Sequence, residues 1–230
     1  MFRFRQFFVD DGRSAMKVGT DGVLLGAWAT CLPDEDGKMP RIVDIGCGCG
    51  LITLMMAQRF PSAHITGVDI DMLSIRDARD NVAASPFIER IDIIHADIFT
   101  LPHAQVPVHY VCNPPFYTED TIAPDLRRAV ARHHSALPLE SLVRYVKGSF
   151  LSIILPAQQE SAFLALCHSE GMHLRRVCSI RTTGHKEPKR IMMEVAPTAA
   201  EAVEATTLTL MSSDGKRSEE YVSLCRDFYL

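Results

Sequence analysis

The chain has 230 residues, 47% of them hydrophobic, which is enough to bury one ordinary α/β core without metal or disulfide support. Its net charge of −4 argues against wholesale electrostatic binding of nucleic acid, so any contact with an anionic polymer has to come from a local basic face. Seven scattered cysteines fit a reducing compartment, no run approaches the roughly 20 apolar residues of a membrane span, and no apolar segment with a cleavage site follows Met1–Arg5; a soluble, cytoplasmic protein is expected.

Phe2 to Val9 alternates aromatic and basic residues, Asp10-Asp11-Gly12 signals a tight turn, and Arg13 to Val18 resumes the extended pattern. A β-hairpin turning at residues 10–12 is predicted. Thr20-Asp21-Gly22-Val23-Leu24-Leu25-Gly26-Ala27-Trp28 then reads as an N-capped apolar helix. Residues 32–40, rich in Pro, Asp, Glu and Gly, form a loop that divides this extension, 1–40, from a main domain over 41–230.

From Arg41 strand and helix alternate. Strands are predicted near 41–45, 64–69, 91–95, 108–112 and 149–155, helices near 51–60, 72–84, 138–147 and 158–170, and terminal strands over 173–181, 190–196 and 206–211. The stretch 198–205 reads as a loop or short helix. This alternation predicts an α/β fold: a doubly wound, mostly parallel sheet with helices on both faces. Right-handed crossovers gather the carboxyl ends of its strands on one edge.

Chemistry-bearing residues fall at those ends. Asp44-Ile45-Gly46-Cys47-Gly48-Cys49-Gly50 is a glycine turn between a strand and an apolar helix, where the backbone can pass close to a ligand. The spacing is Gly-x-Gly-x-Gly, not the Gly-x-Gly-x-x-Gly of a dinucleotide site, and it lacks the lysine and hydroxyl residue of a phosphate loop. Cys47 and Cys49 have no second pair nearby; they read as small buried residues, and no metal is expected. Asp69 ends the second strand about twenty residues on, where nucleotide-type sites bind ribose hydroxyls. Asn113-Pro114-Pro115-Phe116 follows a buried strand. The prolines remove two donors, so the Asn113 side-chain oxygen and a neighbouring carbonyl can both accept from one planar amine while Phe116 stacks on its ring. The same tetrapeptide also serves as a strand-terminating turn, Phe116 as core, and Thr20 and Asp21 as helix caps.

On these segments the sequence resembles the class I S-adenosylmethionine-dependent methyltransferases of the Asn-Pro-Pro-Phe/Tyr group. That resemblance implies a seven-stranded sheet, S-adenosylmethionine as cofactor, Asp44, Gly46 and Gly48 around its methionine moiety, Asp69 on the ribose, Asp97 beside the adenine, and Asn113, Pro114 and Phe116 at the reacting amine. A segment like Lys17-Val18-Gly19-Thr20-Asp21 is implied to lie at the cofactor's methionine end, with Thr20 as a contact.

The motif identifies an amine and leaves its carrier open among adenine in DNA or RNA, guanine in ribosomal RNA, and a glutamine amide in release factors. Two basic stretches favour RNA: Arg127-Arg128 with Arg132-His133-His134, and Arg175-Arg176 through Arg181, Lys186 and Lys189 to Arg190. From these Arg128, Arg176, Lys189 and Arg190 are the candidate substrate contacts, although such charges also occur as plain solvated surface. Arg3, Arg5, Arg13 and Lys17, interleaved with Phe2, Phe4, Phe7 and Phe8, offer a further cationic and aromatic surface. From Phe2-Arg3-Phe4-Arg5-Gln6-Phe7 through Val18–Leu25 to Pro188-Lys189-Arg190 the chain resembles the bacterial tRNA(Val) adenine-N6 methyltransferases, implying as substrate the adenine 3′ of the anticodon. A release-factor-type glutamine methyltransferase, a nonenzymatic RNA-binding scaffold and a nicotinamide-dependent oxidoreductase are the competing readings; the glycine spacing disfavours the last.

Overall fold

The computed structural model describes residues 1–31, 40–104, 106, 108–115 and 137–229. Ten strands and six α-helices are present among them: β1 (Phe2–Arg3), β2 (Phe8–Val9), α1 (Thr20–Trp28), β3 (Arg41–Ile45), α2 (Leu51–Arg59), β4 (His64–Asp69), α3 (Met72–Ala83), β5 (Ile91–His95), β6 (His109–Cys112), α4 (Leu139–Val146), β7 (Phe150–Pro156), α5 (Glu160–Ser169), β8 (His173–Arg181), β9 (Arg190–Ala196), β10 (Glu204–Thr209) and α6 (Glu219–Cys225).

The central strands are continuous apolar runs because both faces of the sheet are covered. Alternation assigns their side chains to two cores: Ile42, Val111, Ile154 and Met192 face α1 and α2, while Ile45, Cys112, Ile153 and Met193 face α4 and α5. The sheet order is β10-β8-β9-β7-β6-β3-β4-β5. Strands β3 to β7 pair in parallel, β9 runs antiparallel between β7 and β8, and β10 adds to β8 in parallel. The mostly parallel, doubly wound class I fold is thus present with eight strands rather than seven, β10 being the additional edge.

Register aligns the carboxyl ends. Ile45 stands opposite both Val68 and Cys112, and Asp69 opposite His95, so the residues following β3, β4, β5 and β6 emerge along one edge. Glycine Gly67 sits in the middle of this arrangement, where an added Cβ would fall within 3.1 Å of Ile93 Cδ1, Thr53 Oγ1 and Cys47 Sγ, so only glycine keeps β4 close to the loop after β3.

The N-terminal hairpin differs from expectation. Its strands pair as Phe2 with Val9 and Arg3 with Phe8, so the chain reverses at Phe4–Phe7, not at residues 10–12. Burial decides this: Phe4 and Phe7 stack with centroids 4.8 Å apart and pack on Tyr229 and Phe87, closing the two ends of the chain together. The Asp10-Asp11-Gly12 segment instead serves as an anchor. Asp11 accepts from Val18 N at 2.8 Å, its carbonyl accepts from Lys17 Nζ, and Asn81 brackets the backbone N–H and C=O of Asp10 at 2.9 and 2.8 Å.

Candidate functional site

One cavity of about 590 Å³ opens at the carboxyl edge of the sheet. Its floor is the loop after β3. The N–H groups of Gly46 and Cys47 both donate to Val68 O, at 2.8 and 3.0 Å, which bends the chain back over β4. Gly46 and Gly48 take φ of 70° and 56°, a region costly for any residue with a Cβ. A Cβ built on either meets nothing within 4 Å, so each leaves bare backbone facing open space.

Asp69 ties this loop to α3: its carboxylate accepts from Gly48 N and from Asp71 N, both at 2.8 Å. Burial pushes its carboxyl up from the usual range while those backbone donors hold it down. Asp71 caps α3 through Ser74 N at 2.9 Å. Beyond β5, Asp97 lines the cavity and accepts from Phe99 N at 3.0 Å, fixing the turn that presents Phe99. Asn113, Pro114 and Pro115 line the same cavity after β6, the strand paired with β3.

Two further walls come from the start of α4, with Leu137, Pro138 and Ser141, and from the N-terminal extension, with Met16, Lys17, Val18, Gly19 and Gly22. Gly22 comes close to the amide: a Cβ there would lie 3.7 Å from Asn113 Nδ2 and 3.2 Å from Leu51 Cδ2. Met16 and Gly22 carry no chemistry that composition or periodicity would flag; the only signal was the resemblance around Lys17–Asp21.

Two expected cofactor residues do not line the cavity. Thr20 opens α1, whose N-cap is Gly19 without a side-chain cap. Asp44 is wholly buried behind the loop, with Oδ2 accepting from Thr53 Oγ1 at 2.6 Å and Oδ1 without a partner among the described residues. Desolvation pushes its carboxyl up to about 7. Phe116, Tyr117 and the whole Arg127–His134 stretch, Arg128 included, lie outside the described residues. Burial holds the Cys47 thiol well above its ordinary value and raises Cys49 to about 12, so neither supplies a thiolate, and neither is in a disulfide.

Comparison with known proteins yields a match to the family described as "Methyltransferase small domain" over residues 26–140. A tRNA1(Val) (adenine(37)-N6)-methyltransferase from Porphyromonas gingivalis is 40% identical over 243 residues, covering 100% of this chain and 94% of its own. Its counterparts from Phocaeicola vulgatus and Vibrio campbellii are 40% and 36% identical, each aligned along 100% of this chain and along 97% and 95% of their own. The chain belongs to this methyltransferase family. In fold it is similar to a predicted O-methyltransferase from Agrobacterium tumefaciens, with a TM-score of 0.63 at 20% identity over 90% of this chain and 96% of that one.

The basic residues of the methyltransferase fall into two groups. Arg176 is not at the cavity. It lies towards the amino end of β8, where a bulge at Arg175 sets it opposite Glu194 on β9. It pairs with Glu194 at 3.0 Å and with Glu204 at 3.2 Å, and its guanidinium lies 4.4 Å over the Trp28 ring. Glu194 also accepts from Thr30 N, Thr30 Oγ1 and Ser152 Oγ at 2.7, 2.9 and 2.8 Å. Those donors outweigh its burial and hold its carboxyl below the usual range. Arg190 instead donates to Asp21 at 2.7 Å, next in sequence to Gly22 of the cavity wall, and Lys189 stands exposed beside it. Of the N-terminal cationic and aromatic set Phe4 and Phe7 are core, while the exposed Arg13 and Arg5 are engaged within the chain, Arg13 pairing with Asp77 and Asp80 and Arg5 donating to Tyr229 O. Phe2, Phe8 and Arg3 remain outside, with Arg3 5.6 Å over the Phe8 ring.

Among the described residues no helix is long and apolar enough to cross a membrane, and no group of three His, Cys, Asp or Glu side chains is placed to hold a metal ion.

Proposed function

We propose that this methyltransferase transfers a methyl group from S-adenosylmethionine to the exocyclic N6 amine of an adenine in a transfer RNA, the base 3′ of the anticodon of a valine tRNA. One observation carries the reading: the glycine loop and the Asn113-Pro114-Pro115 turn, 65 residues apart in sequence, face a single cavity of about 590 Å³. The names of the full-length relatives support the substrate.

The cavity suits the cofactor. Gly46 and Gly48 leave backbone exposed where a Cβ would intrude, Asp69 stands at the end of β4 to accept from ribose hydroxyls, and Asp97 lies where the adenine would be bound. The cofactor supplies an electrophilic methyl carbon. The protein's part is alignment, bringing donor carbon and acceptor nitrogen to about 3 to 3.5 Å in line. An aromatic amine is a poor nucleophile because its lone pair is delocalised. Asn113 Oδ1 and the Asn113 or Pro114 carbonyl accept its two N–H groups and favour the pyramidal form, freeing the lone pair as the N–C bond forms and the S–C bond breaks. The extra proton leaves from the product nitrogen to water, so no acid–base dyad is required. Phe116 is assigned to stacking on the target ring from its place in the sequence, a contact worth about 1 to 3 kcal/mol. A base in an anticodon loop is already single-stranded, so extruding it is inexpensive. A cytoplasmic location, where transfer RNA and free thiols coexist, goes with this reading.

The test is incubation of purified protein with labelled S-adenosylmethionine and separate pools of tRNA, ribosomal RNA, DNA and release factor. Label is expected in tRNA and, after nuclease digestion, as N6-methyladenosine by mass spectrometry. Label confined to protein, or recovered as N2-methylguanosine, contradicts the reading.

A further inference from the structure

We propose that the loop joining β8 to β9, through Lys186 and Lys189, grips the ribose–phosphate strand that flanks the target base; this rests on the reading of the substrate as RNA. Topology places the loop. Because β9 runs antiparallel to both β7 and β8, β8 is parallel to β7 and its last residue, Arg181, leaves the sheet at the same edge as the cavity.

Contacts then join the loop to the reacting centre. Arg190, at its far end, donates to Asp21 at 2.7 Å, and the next residue, Gly22, is the one whose Cβ would lie 3.7 Å from the Asn113 amide. A strand that delivers a base to Asn113 therefore has its neighbouring phosphates passing this loop.

Charge distinguishes the loop from the rest of the surface. Residues 181–190 hold four cations, Arg181, Lys186, Lys189 and Arg190, against the single acid Glu187, within a chain of net charge −4. Lys186 and Lys189 are exposed, and neither ammonium group has an ion-pair or hydrogen-bond partner among the described residues. Elsewhere comparable cations are neutralised, as Arg144 and Lys147 are by Glu170 at 3.1 Å each. The backbone beneath the two lysines is pinned: Lys189 N donates to Ile180 O, Lys186 N to Thr183 O, and Met211 N to Thr182 O, at 2.9 to 3.1 Å. A fixed backbone carrying two free ammonium groups suits non-directional contact with phosphate, which positions a strand without reading its sequence.

The test compares Lys186→Ala/Lys189→Ala with Arg144→Ala/Lys147→Ala, which removes two cations from the opposite edge of the sheet. Binding of a valine tRNA transcript is followed by fluorescence anisotropy over a series of salt concentrations. Loss of two phosphate contacts is expected to make the slope of log K against log salt shallower by ~1.4 and to weaken affinity by about tenfold at low salt. S-adenosylmethionine affinity by calorimetry is expected to match the wild type in both variants. The opposite-edge variant keeps the wild-type slope. An unchanged slope in the loop variant, or equal losses in both, overturns the proposal while leaving the RNA substrate intact if the wild type still methylates tRNA. Wild-type protein that binds the cofactor yet neither binds nor labels tRNA overturns both.

Discussion

Replacing Arg176 by alanine separates a structural role from an RNA-contacting one. Its carboxylate partner Glu194 is only 8% exposed, and Arg176 itself is 22% exposed. Removing one member of a buried pair costs about 3 to 5 kcal/mol when the other is left uncompensated. Glu194 keeps Thr30 N, Thr30 Oγ1 and Ser152 Oγ as donors, which brings the loss to the low end, while the contact with Trp28 at 4.4 Å contributes about 0.5 to 1 kcal/mol more. A net destabilisation of about 3.5 to 4 kcal/mol follows, equivalent to a fall of roughly 7 to 16 °C in Tm for a chain of this size. Urea denaturation at pH 7 measures it, alongside tRNA affinity under conditions where the variant is folded. Adding Glu194→Gln removes the stranded charge, so the double variant should lose less than the sum of the two singles. Destabilisation below about 0.5 kcal/mol combined with weakened tRNA binding would show Arg176 to be a substrate contact, against the structural reading.

Two further variants have defined outcomes. His109 is wholly buried, its Nε2 is 2.7 Å from Ser152 Oγ, and desolvation lowers its pKa from 6.5 to about 4. The unfolded chain takes up this proton first, so the associated stability is complete above pH 6.5 and is lost as pH falls towards 4, by at most about 3 kcal/mol. Stability curves of His109→Gln should be flatter over that window than those of the wild type; parallel curves would refute the assignment. Gly22→Ala should leave Tm unchanged or slightly higher, since alanine is favoured over glycine in a helix by up to about 1 kcal/mol. Its kcat should nonetheless fall by about tenfold, because the new Cβ, 3.2 Å from Leu51 Cδ2, forces that side chain to shift beside the Asn113 amide and so disturbs the acceptor geometry. Full activity with normal tRNA affinity would show that this wall does not position Asn113.

Strands β3 and β4 and the start of α2 could be read from the sequence because burial on both faces makes them largely apolar, ended by Gly46 and Asp69, and the edge strand β5, though mostly exposed, by its β-branched Ile91, Ile93 and Ile94. β10 starts two residues before the predicted 206 because most of it is exposed and its Thr-rich pattern carries little hydrophobic signal. Asp10-Asp11-Gly12 resembled a hairpin turn, and only the packing of Phe7 on Phe87, with Asn81 bridging to Asp10, reveals the anchor. The four polar strand ends were found because they bear their own chemistry. Gly22 and Met16 were not, since what they do depends on α1 crossing to Asn113. That Arg176 lies away from the cavity was not legible, because its partner Glu194 is set by strand order and one bulge, neither of which a charge count contains.

The decisive measurement is single-turnover methyl transfer by Asn113→Ala, with cofactor affinity determined by calorimetry on the same preparation. On the proposed reading the amide serves the acceptor and the glycine loop the donor, so the transfer rate should drop by about a hundredfold or more while S-adenosylmethionine affinity changes less than about threefold. Equal losses in both would mean that Asn113 shapes the cofactor pocket, and an undiminished rate would mean that the amine is held elsewhere.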